Sequence, residues 1–292
     1  MKMNRRILLI LLTLIYGCID PIELDISEEL RILVVEGYIS TGPGPHRIKL
    51  SKSGKYGDLF KSVIRNEVRA DVWIRDNVGN VTILKEVSPG WYDTPEDWHA
   101  ELHKSYTLNI ITNVGAHYIS SPETVVPVAP IDSLILQYKK ISTANPFAFL
   151  LGVEVFARFQ DPPDSRDFYI WLNNANFSVN ILDDKNSNGT INTALAAYLQ
   201  EDGEQFTNKY MVIVQQLSIS KEAHAFIDLL KKQLSIDGDI FDPPPATIRG
   251  NMINLDRQEE NVIGYFHASD VSIDTVFIDR RVLKDLKSQA GK

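Results

Sequence analysis

The run DDKNSNG, beyond the middle of the chain, has the residue types and spacing of a calcium-binding loop. Asp184, Asn186 and Asn188 place side-chain oxygens at alternate positions, and Gly189 stands where such a loop turns. The loop lacks the bidentate acid that would close it, because its twelfth position is Leu195. Asparagine and aspartate before glycine also form ordinary turns. We therefore expect at most a weak calcium loop, with no affinity tighter than about millimolar, and no other metal site.

Three aromatic residues, Trp91, Tyr92 and Trp98, lie close together in the sequence and are the candidate ligand-binding aromatics. Carboxylates stand beside them at Asp93 and Asp97. Exposed rings next to carboxylates could bind a glycan, because a flat ring stacks on the face of a sugar. Large aromatic residues are more often part of the hydrophobic core. Both interpretations stay open.

Motifs that support catalysis are missing from the sequence. It contains no Gly-x-Ser-x-Gly elbow, no phosphate-binding Gly-x-x-x-x-Gly-Lys loop and no Gly-x-Gly-x-x-Gly turn. His99 and His103 have the spacing HxExH rather than the HExxH of a zinc protease, and a surface loop is expected there. Carboxylate pairs that a hydrolase could use are Asp183/Asp184 and Asp161/Asp164. Such pairs arise by chance among 38 acidic residues, so we expect no catalytic residue, no cofactor and no enzymatic activity.

The N-terminus has the features of a bacterial export signal. A basic start precedes the apolar run Ile7–Tyr16, which is shorter than the roughly 20 residues of a membrane-spanning helix. The run ends at Gly17-Cys18, which resembles the lipobox of bacterial lipoproteins. That resemblance implies removal of a signal peptide, residues 1–17, and a lipid on Cys18, the only cysteine of the chain. An ordinary secretory signal is the alternative.

Residues 18–30 form a short acidic tether after this cysteine. Acidic residues in this position resemble the signal that directs some Bacteroidota lipoproteins to the cell surface, although a plain solvated linker explains them equally well. The formal net charge of the whole chain is −8. This excess of negative charge argues against a nucleic-acid partner, because phosphate binding needs basic patches.

Alternation of apolar and polar residues predicts strands along most of the remaining chain, so the fold is expected to be mostly β. Residues 31–129 are expected to form a β-sandwich, in which the YTLNI segment resembles the tyrosine-bearing strand of immunoglobulin-like and fibronectin-like domains. The proline-rich connector 122–130 places the domain boundary near residue 129. Residues 130–292 are expected to form a second β-rich domain. Its one amphipathic helix is predicted at about 220–234, with Ser220 as the N-cap.

A set of segments occurs along the chain in a fixed order: the Cys18-x-x-Pro21 start, VVEGYIS, RADVWIRD, GWYDT, YTLNI, VPVAPIDSL, and the late pair FDPPPATIRGNMIN and VIGYFHAS. This ordered set resembles the uncharacterised Bacteroidota lipoproteins grouped as domain-of-unknown-function family 4249. The resemblance implies an outer-membrane lipoprotein, facing the cell surface and often encoded beside a TonB-dependent transporter. It implies no catalytic residues.

The resemblance and the absence of catalytic motifs together indicate a binding function. We expect a non-enzymatic accessory or substrate-capture subunit of a TonB-dependent transporter, held in the outer membrane through the lipid on Cys18. Its expected partners are the membrane and the transporter, with a glycan or a peptide as the candidate ligand. The alternative function is a glycan-binding surface lipoprotein that uses Trp91, Tyr92 and Trp98.

Overall fold

The computed structural model describes residues 32–53, 65–142, 149–175, 179–201, 209–234, 248–260 and 262–290. The expected signal peptide 1–17, the lipidation site Cys18, the tether 18–30 and the triple proline 243–245 lie outside the described residues. The fold is mostly β, as predicted, with eighteen strands and two α-helices in the described ranges. Neither of these helices is long and apolar enough to cross a membrane.

The elements are numbered in chain order. The strands are β1 (Leu33–Ser40), β2 (Arg47–Lys52), β3 (Arg65–Asn66), β4 (Asp71–Asp76), β5 (Val81–Ser88), β6 (Trp91–Asp93), β7 (Ser105–Ile111), β8 (His117–Ser120), β9 (Glu123–Thr124), β10 (Ile131–Ser142), β11 (Phe149–Gln160), β12 (Phe168–Asn173), β13 (Asn180–Asp183), β14 (Ile191–Gln200), β15 (Tyr210–Ser218), β16 (Met252–Asn254), β17 (Ile263–Ser269) and β18 (Val271–Ile278). The helices are α1 (Lys221–Leu234) and α2 (Arg280–Ala290).

Eleven strands form one large sheet with the order β16-β8-β7-β4-β5-β6-β2-β1-β17, in which β3 also pairs with β2 and β9 with β7. Its strands show the alternation read from the sequence: in β4, Val72 and Ile74 are buried while Trp73 between them is half-buried. The two ends of the sheet meet, because the Asn251 side chain donates to the backbone carbonyl of Phe266 and accepts from its N–H. The large sheet therefore curls around one apolar core.

The expected immunoglobulin-like sandwich is not confirmed. Strand β5 pairs with β4 along its first half and with β6 along its second half, so one continuous sheet replaces two separate facing sheets. The alternation within each strand is the same in both arrangements, and sequence periodicity therefore does not distinguish them.

Two smaller sheets, β10-β11-β14 and β13-β12-β15-β18, share a second apolar core. Phe159 from β11 packs there against Tyr169 and Trp171 from β12, with ring centroids 5.1 and 5.9 Å away. Helix α1 covers the other face of β12, because its Ala223 and Ile227 join a third apolar cluster there. The predicted helix is confirmed, and the Ser220 hydroxyl accepts the backbone N–H of Ala223 as an N-cap does.

The expected domain boundary near residue 129 needs amendment. Strands β16 and β17 return to the large sheet, where β17 runs parallel to β1 from the Val34–Ile263 pair to the Ser40–Ser269 pair. Residues 130–292 therefore do not form one separate sheet system. Pairing between strands more than 200 residues apart leaves no trace in local alternation.

The expectation of a single helix was wrong, because α2 follows β18 directly. The Asp279 carboxylate accepts the backbone N–H groups of Arg281 and Val282 and so caps the start of α2. Leu283 then anchors the helix in the second core.

Within the predicted connector 122–130, residues 123–124 form the short strand β9, and residues 125–130 form neither strand nor helix. The segment is held in place at both sides. The backbone N–H of Val128 donates to the Asp270 carboxylate at 2.9 Å, and the Ala129 carbonyl accepts from the Gln216 side chain at 2.7 Å. Asp270 is the single residue between β17 of the large sheet and β18 of the smaller one. The chain thus passes between the large sheet and the smaller sheets at this connector, between β15 and β16, and at Asp270.

Candidate functional site

The aromatic residues proposed to bind a ligand lie in different environments. Tyr92 is buried in the core of the large sheet, where its hydroxyl accepts the N–H of Ala70 at 3.0 Å and donates to the Glu67 carbonyl at 3.1 Å. Its ring and hydroxyl are therefore committed to packing. Trp91, next to it in β6, is half-buried, with Lys49 Nζ 5.4 Å from the ring centroid.

Trp98 belongs to the loop that connects β6 to β7 of the large sheet. It is half-buried against the core and meets Tyr106 and His46 edge-on, with ring centroids 6.0 and 5.7 Å away. These contacts explain its position by packing. The neighbouring His99 and His103 are exposed loop residues outside any helix, as the sequence predicts.

The candidate calcium loop follows β13 and begins with a short 3-10 turn, Asp184–Asn186. Asn186 and Asn188 are exposed, and the Asn188 side chain donates to the Ser165 carbonyl at 2.6 Å. Asp184 is fully buried, and it lies with Asp161 and Asp167 in a group in which one carboxylate oxygen of each residue lies within 4.8 Å of the other two.

The carboxylate pairs considered for hydrolysis are separated by the fold. Asp183 forms a two-point ion pair with Arg166. The adjacent Asp184 is fully buried and is not part of that ion pair. Asp164 is exposed, whereas Asp161 is fully buried. The structure instead brings Asp184 together with Asp161 and with Asp167, which the sequence analysis did not single out.

A groove of about 770 Å³ lies between the large sheet and helix α1, and we call it the α1 groove. Strand β9, residues 249–251 and Tyr265 of β17 form its wall on the side of the large sheet, and α1 forms the opposite wall. Its main lining residues are Glu123, Ala225, Phe226, Leu229, Arg249 and Tyr265. The groove is thus built by both parts of the protein.

Apolar side chains supply much of the groove surface. Helix α1 contacts the third apolar cluster through Ala223 and Ile227. These contacts leave Phe226 and Leu229 uncovered, and both line the groove. The Phe226 ring packs against the Tyr265 ring at a centroid distance of 5.2 Å. Arg249 is exposed and adds a positive charge to the groove.

Glu123 is the unusual residue of this groove, because this acidic residue is only 4 % exposed. One oxygen, Oε1, accepts the Tyr265 hydroxyl at 2.6 Å and the Asn251 amide at 3.5 Å. The other oxygen, Oε2, is buried and has no hydrogen-bond partner in the described part of the chain. Burial raises the pKa of Glu123 despite the hydrogen bond from Tyr265, and burial likewise raises the pKa of Tyr265.

A buried carboxylate oxygen without a partner is costly, and a bound group that donates a hydrogen bond to it would remove that cost. The α1 groove therefore suits a ligand segment with an apolar part and a polar donor. The sequence analysis missed Glu123, because a single acid between Pro122 and a valine-rich stretch has no motif. The nearby GYFHAS segment, which contains Tyr265, was the only signal.

Two comparisons with known proteins bear on this chain. A model of the protein family described as a domain of unknown function (DUF4249) matches residues 19–274, which include all the groove residues named above. Among curated proteins, none matches the sequence.

Proposed function

The chain belongs to the DUF4249 family, and from that premise we propose that it is a non-enzymatic, lipid-anchored envelope protein of the outer membrane. In this proposal it faces the cell surface and serves as an accessory or substrate-capture subunit of a TonB-dependent transporter. The lipid on Cys18 keeps it beside the transporter, and the α1 groove holds the captured ligand or a segment of the transporter.

The observation that carries the proposal is the composition of the α1 groove. It joins an apolar surface to one buried carboxylate oxygen that has no partner, and small-molecule and peptide sites commonly have this composition. Both parts of the protein form its walls, so an occupant would contact the large sheet and α1 at once. Such a site binds and orients a partner without requiring chemistry.

The alternative, a glycan-binding lipoprotein that uses Trp91, Tyr92 and Trp98, has less support. The hydroxyl of Tyr92 is committed to backbone groups, and its ring is buried. Two basic side chains lie near the Trp91 ring: Arg47 Cζ is 5.8 Å and Lys49 Nζ is 5.4 Å from the ring centroid. A sugar would have to displace these cations from the ring.

Co-purification from the native membrane tests the proposal. Tagged protein would be isolated after mild solubilisation of outer membranes, and the expected companion is a TonB-dependent transporter in near-stoichiometric amount. Ala225→Trp should abolish this association, because Ala225 is exposed and an indole at this position would fill the α1 groove.

Lys221→Trp is the matched control. Lys221 is also an exposed residue of α1, but it lies outside the groove lining, so this variant should retain the transporter. Circular dichroism and the unfolding midpoint should be similar in both variants. The proposal is wrong if no transporter accompanies the wild-type protein, or if Ala225→Trp retains it as well as Lys221→Trp does.

A further inference from the structure

Three carboxylates meet where the two smaller sheets are connected. Asp161 follows β11, Asp167 precedes β12, and Asp184 follows β13, so the group draws on two separate loops. Both loops cross between the sheets: 161–167 joins β11 to β12, and 184–190 joins β13 to β14. Asp161 and Asp184 are fully buried, and Asp167 is half-buried.

Hydrogen bonds satisfy this group only in part. Asp161 accepts the Tyr169 hydroxyl at 2.7 Å and the Gly189 N–H at 3.1 Å, and Asp167 accepts the Ser165 hydroxyl at 2.7 Å. Both oxygens of Asp184 are buried and have no hydrogen-bond partner in the described ranges. A fully buried carboxylate with two such oxygens is strongly disfavoured unless something positive lies against it.

In the part of the chain that the structure describes, no basic side chain forms an ion pair with these three carboxylates. Among the ion pairs of the described residues, none includes Asp161, Asp167 or Asp184. The nearest arginine in sequence, Arg166, is committed to the two carboxylate oxygens of Asp183. The hydrogen bonds named above thus come from two hydroxyls and one backbone N–H, which are uncharged donors.

We propose that Asp161, Asp167 and Asp184 form a calcium-binding site that fastens the two inter-sheet loops to each other. The carboxylate oxygens have the hard chemistry that Ca²⁺ prefers. One oxygen from each residue lies within 4.8 Å of the other two. Oxygens that share one Ca²⁺ at roughly 2.4 Å lie about 3.4 to 4.8 Å apart, so the group has the spacing of a calcium coordination shell. The half-buried Asp167 marks the side from which the ion enters.

This site differs from the loop that the sequence suggested. Asp184 is common to both, but the missing closing acid is supplied by Asp161 and Asp167 from another loop rather than from position 195. The affinity should therefore exceed that expected of the DDKNSNG run alone. We expect a dissociation constant of roughly 10⁻⁵–10⁻⁴ M, between those of intracellular sensors and of weak extracellular modules.

Calorimetric titration of chelator-treated protein with CaCl₂ is the direct test. The expected result is one ion bound per chain, and an unfolding midpoint that rises with Ca²⁺ concentration, because an ion that binds only the folded state stabilises it. Tb³⁺ provides a second readout. It should give sensitised luminescence, since Tyr169 donates to Asp161 and its ring lies 6.0 Å from that of Trp171.

Matched variants locate the ion. Asp184→Asn and Asp167→Asn should each weaken Ca²⁺ binding at least tenfold and reduce the luminescence, whereas Asp164→Asn should leave both unchanged. Asp164 lies in the same loop as Asp167 but is exposed and outside the group. The Asp184→Asn variant should fold, because it removes a buried charge. The Asp167→Asn variant is a second test that does not alter the interior, because Asp167 is half-buried.

Two outcomes would overturn the proposal. One is the absence of binding heat, midpoint shift and Tb³⁺ signal at millimolar metal concentration in the wild-type protein. The buried acids would then be held by a shared proton, since burial and the neighbouring Asp161 raise the pKa of Asp184. The other is Ca²⁺ binding that survives both Asp184→Asn and Asp167→Asn, which would place the ion elsewhere.

Discussion

Protonation of His267 should destabilise the folded protein as the pH falls below neutrality. His267 lies in β17, where its ring stacks on Tyr38 with centroids 5.2 Å apart. Its Nδ1 lies 2.9 Å from the Ser269 hydroxyl, and the residue is 8 % exposed. Burial lowers the pKa of His267 to about 4, because a charged imidazole has no water in this position.

The sign of the effect follows from linkage. The unfolded chain binds a proton at His267 below its ordinary pKa of about 6.5, whereas the folded protein resists protonation until about 4. The stabilising contribution of the neutral ring is therefore complete above about pH 6.5, and it is lost as the pH falls towards 4. The pKa difference of about 2.5, at about 1.36 kcal/mol for each pKa unit, limits the total loss to about 3 kcal/mol. Between about pH 7.5 and pH 5 the loss should be about 2 kcal/mol.

Denaturant unfolding of the wild-type protein and of His267→Gln, at these two pH values, measures this contribution. The wild-type protein should lose about 2 kcal/mol more than the variant, because glutamine does not titrate. His46 and His224, whose pKa values are also lowered first by burial, titrate in both proteins and cancel in the comparison. Equal losses in the two proteins would refute the assignment of a buried neutral imidazole to His267.

Three further changes have defined expectations. In denaturant unfolding, Gly264→Ala should cost several kcal/mol of stability, and Gly115→Ala only about 1 kcal/mol. Both glycines have positive φ, but a Cβ at Gly264 would lie 1.8 Å from the Val35 carbonyl oxygen, whereas a Cβ at Gly115 would meet no atom within 4 Å. Similar costs would contradict this close approach. Tyr92→Phe should cost about 2 kcal/mol, since it leaves two backbone groups without their partner, and an unchanged unfolding free energy would argue against those bonds. Cys18→Ser should move the protein from the membrane to the soluble fraction, and unchanged fractionation and processing would exclude a lipid anchor at this residue.

Local patterns predicted several elements correctly. The β-rich composition followed from period-two alternation, and α1 followed from apolar residues at helical spacing with Ser220 before them. These features depend on neighbours a few residues away, which a sequence displays directly. The second helix also has a local signal in the sequence, because Asp279 caps its start and Val282 and Leu283 follow. The sequence analysis nevertheless did not predict this helix of eleven residues, which lies at the C-terminal end of the described chain.

The arrangement of the sheets was beyond local patterns. The parallel pairing of β17 with β1 joins residues that are 229 positions apart, as in the Val34–Ile263 pair. It changes the expected two-domain division, because it returns the late chain to the large sheet. The position of Glu123 has the same origin, since its partner Tyr265 belongs to β17 and is 142 residues away.

The acidic run DDKNSNG shows most clearly what each source of information determined. By itself the sequence established that alternating oxygen side chains precede a glycine, and that no acid within the loop closes a metal site. Tertiary structure alone decided that Asp161 and Asp167 lie against Asp184. The physical reason is that two separate loops, 161–167 between β11 and β12 and 184–190 between β13 and β14, come together where they cross between the two smaller sheets, and both carry acids to that place. A coordination shell is a property of positions in space, and residues from separate loops contribute to it without any fixed spacing in the sequence.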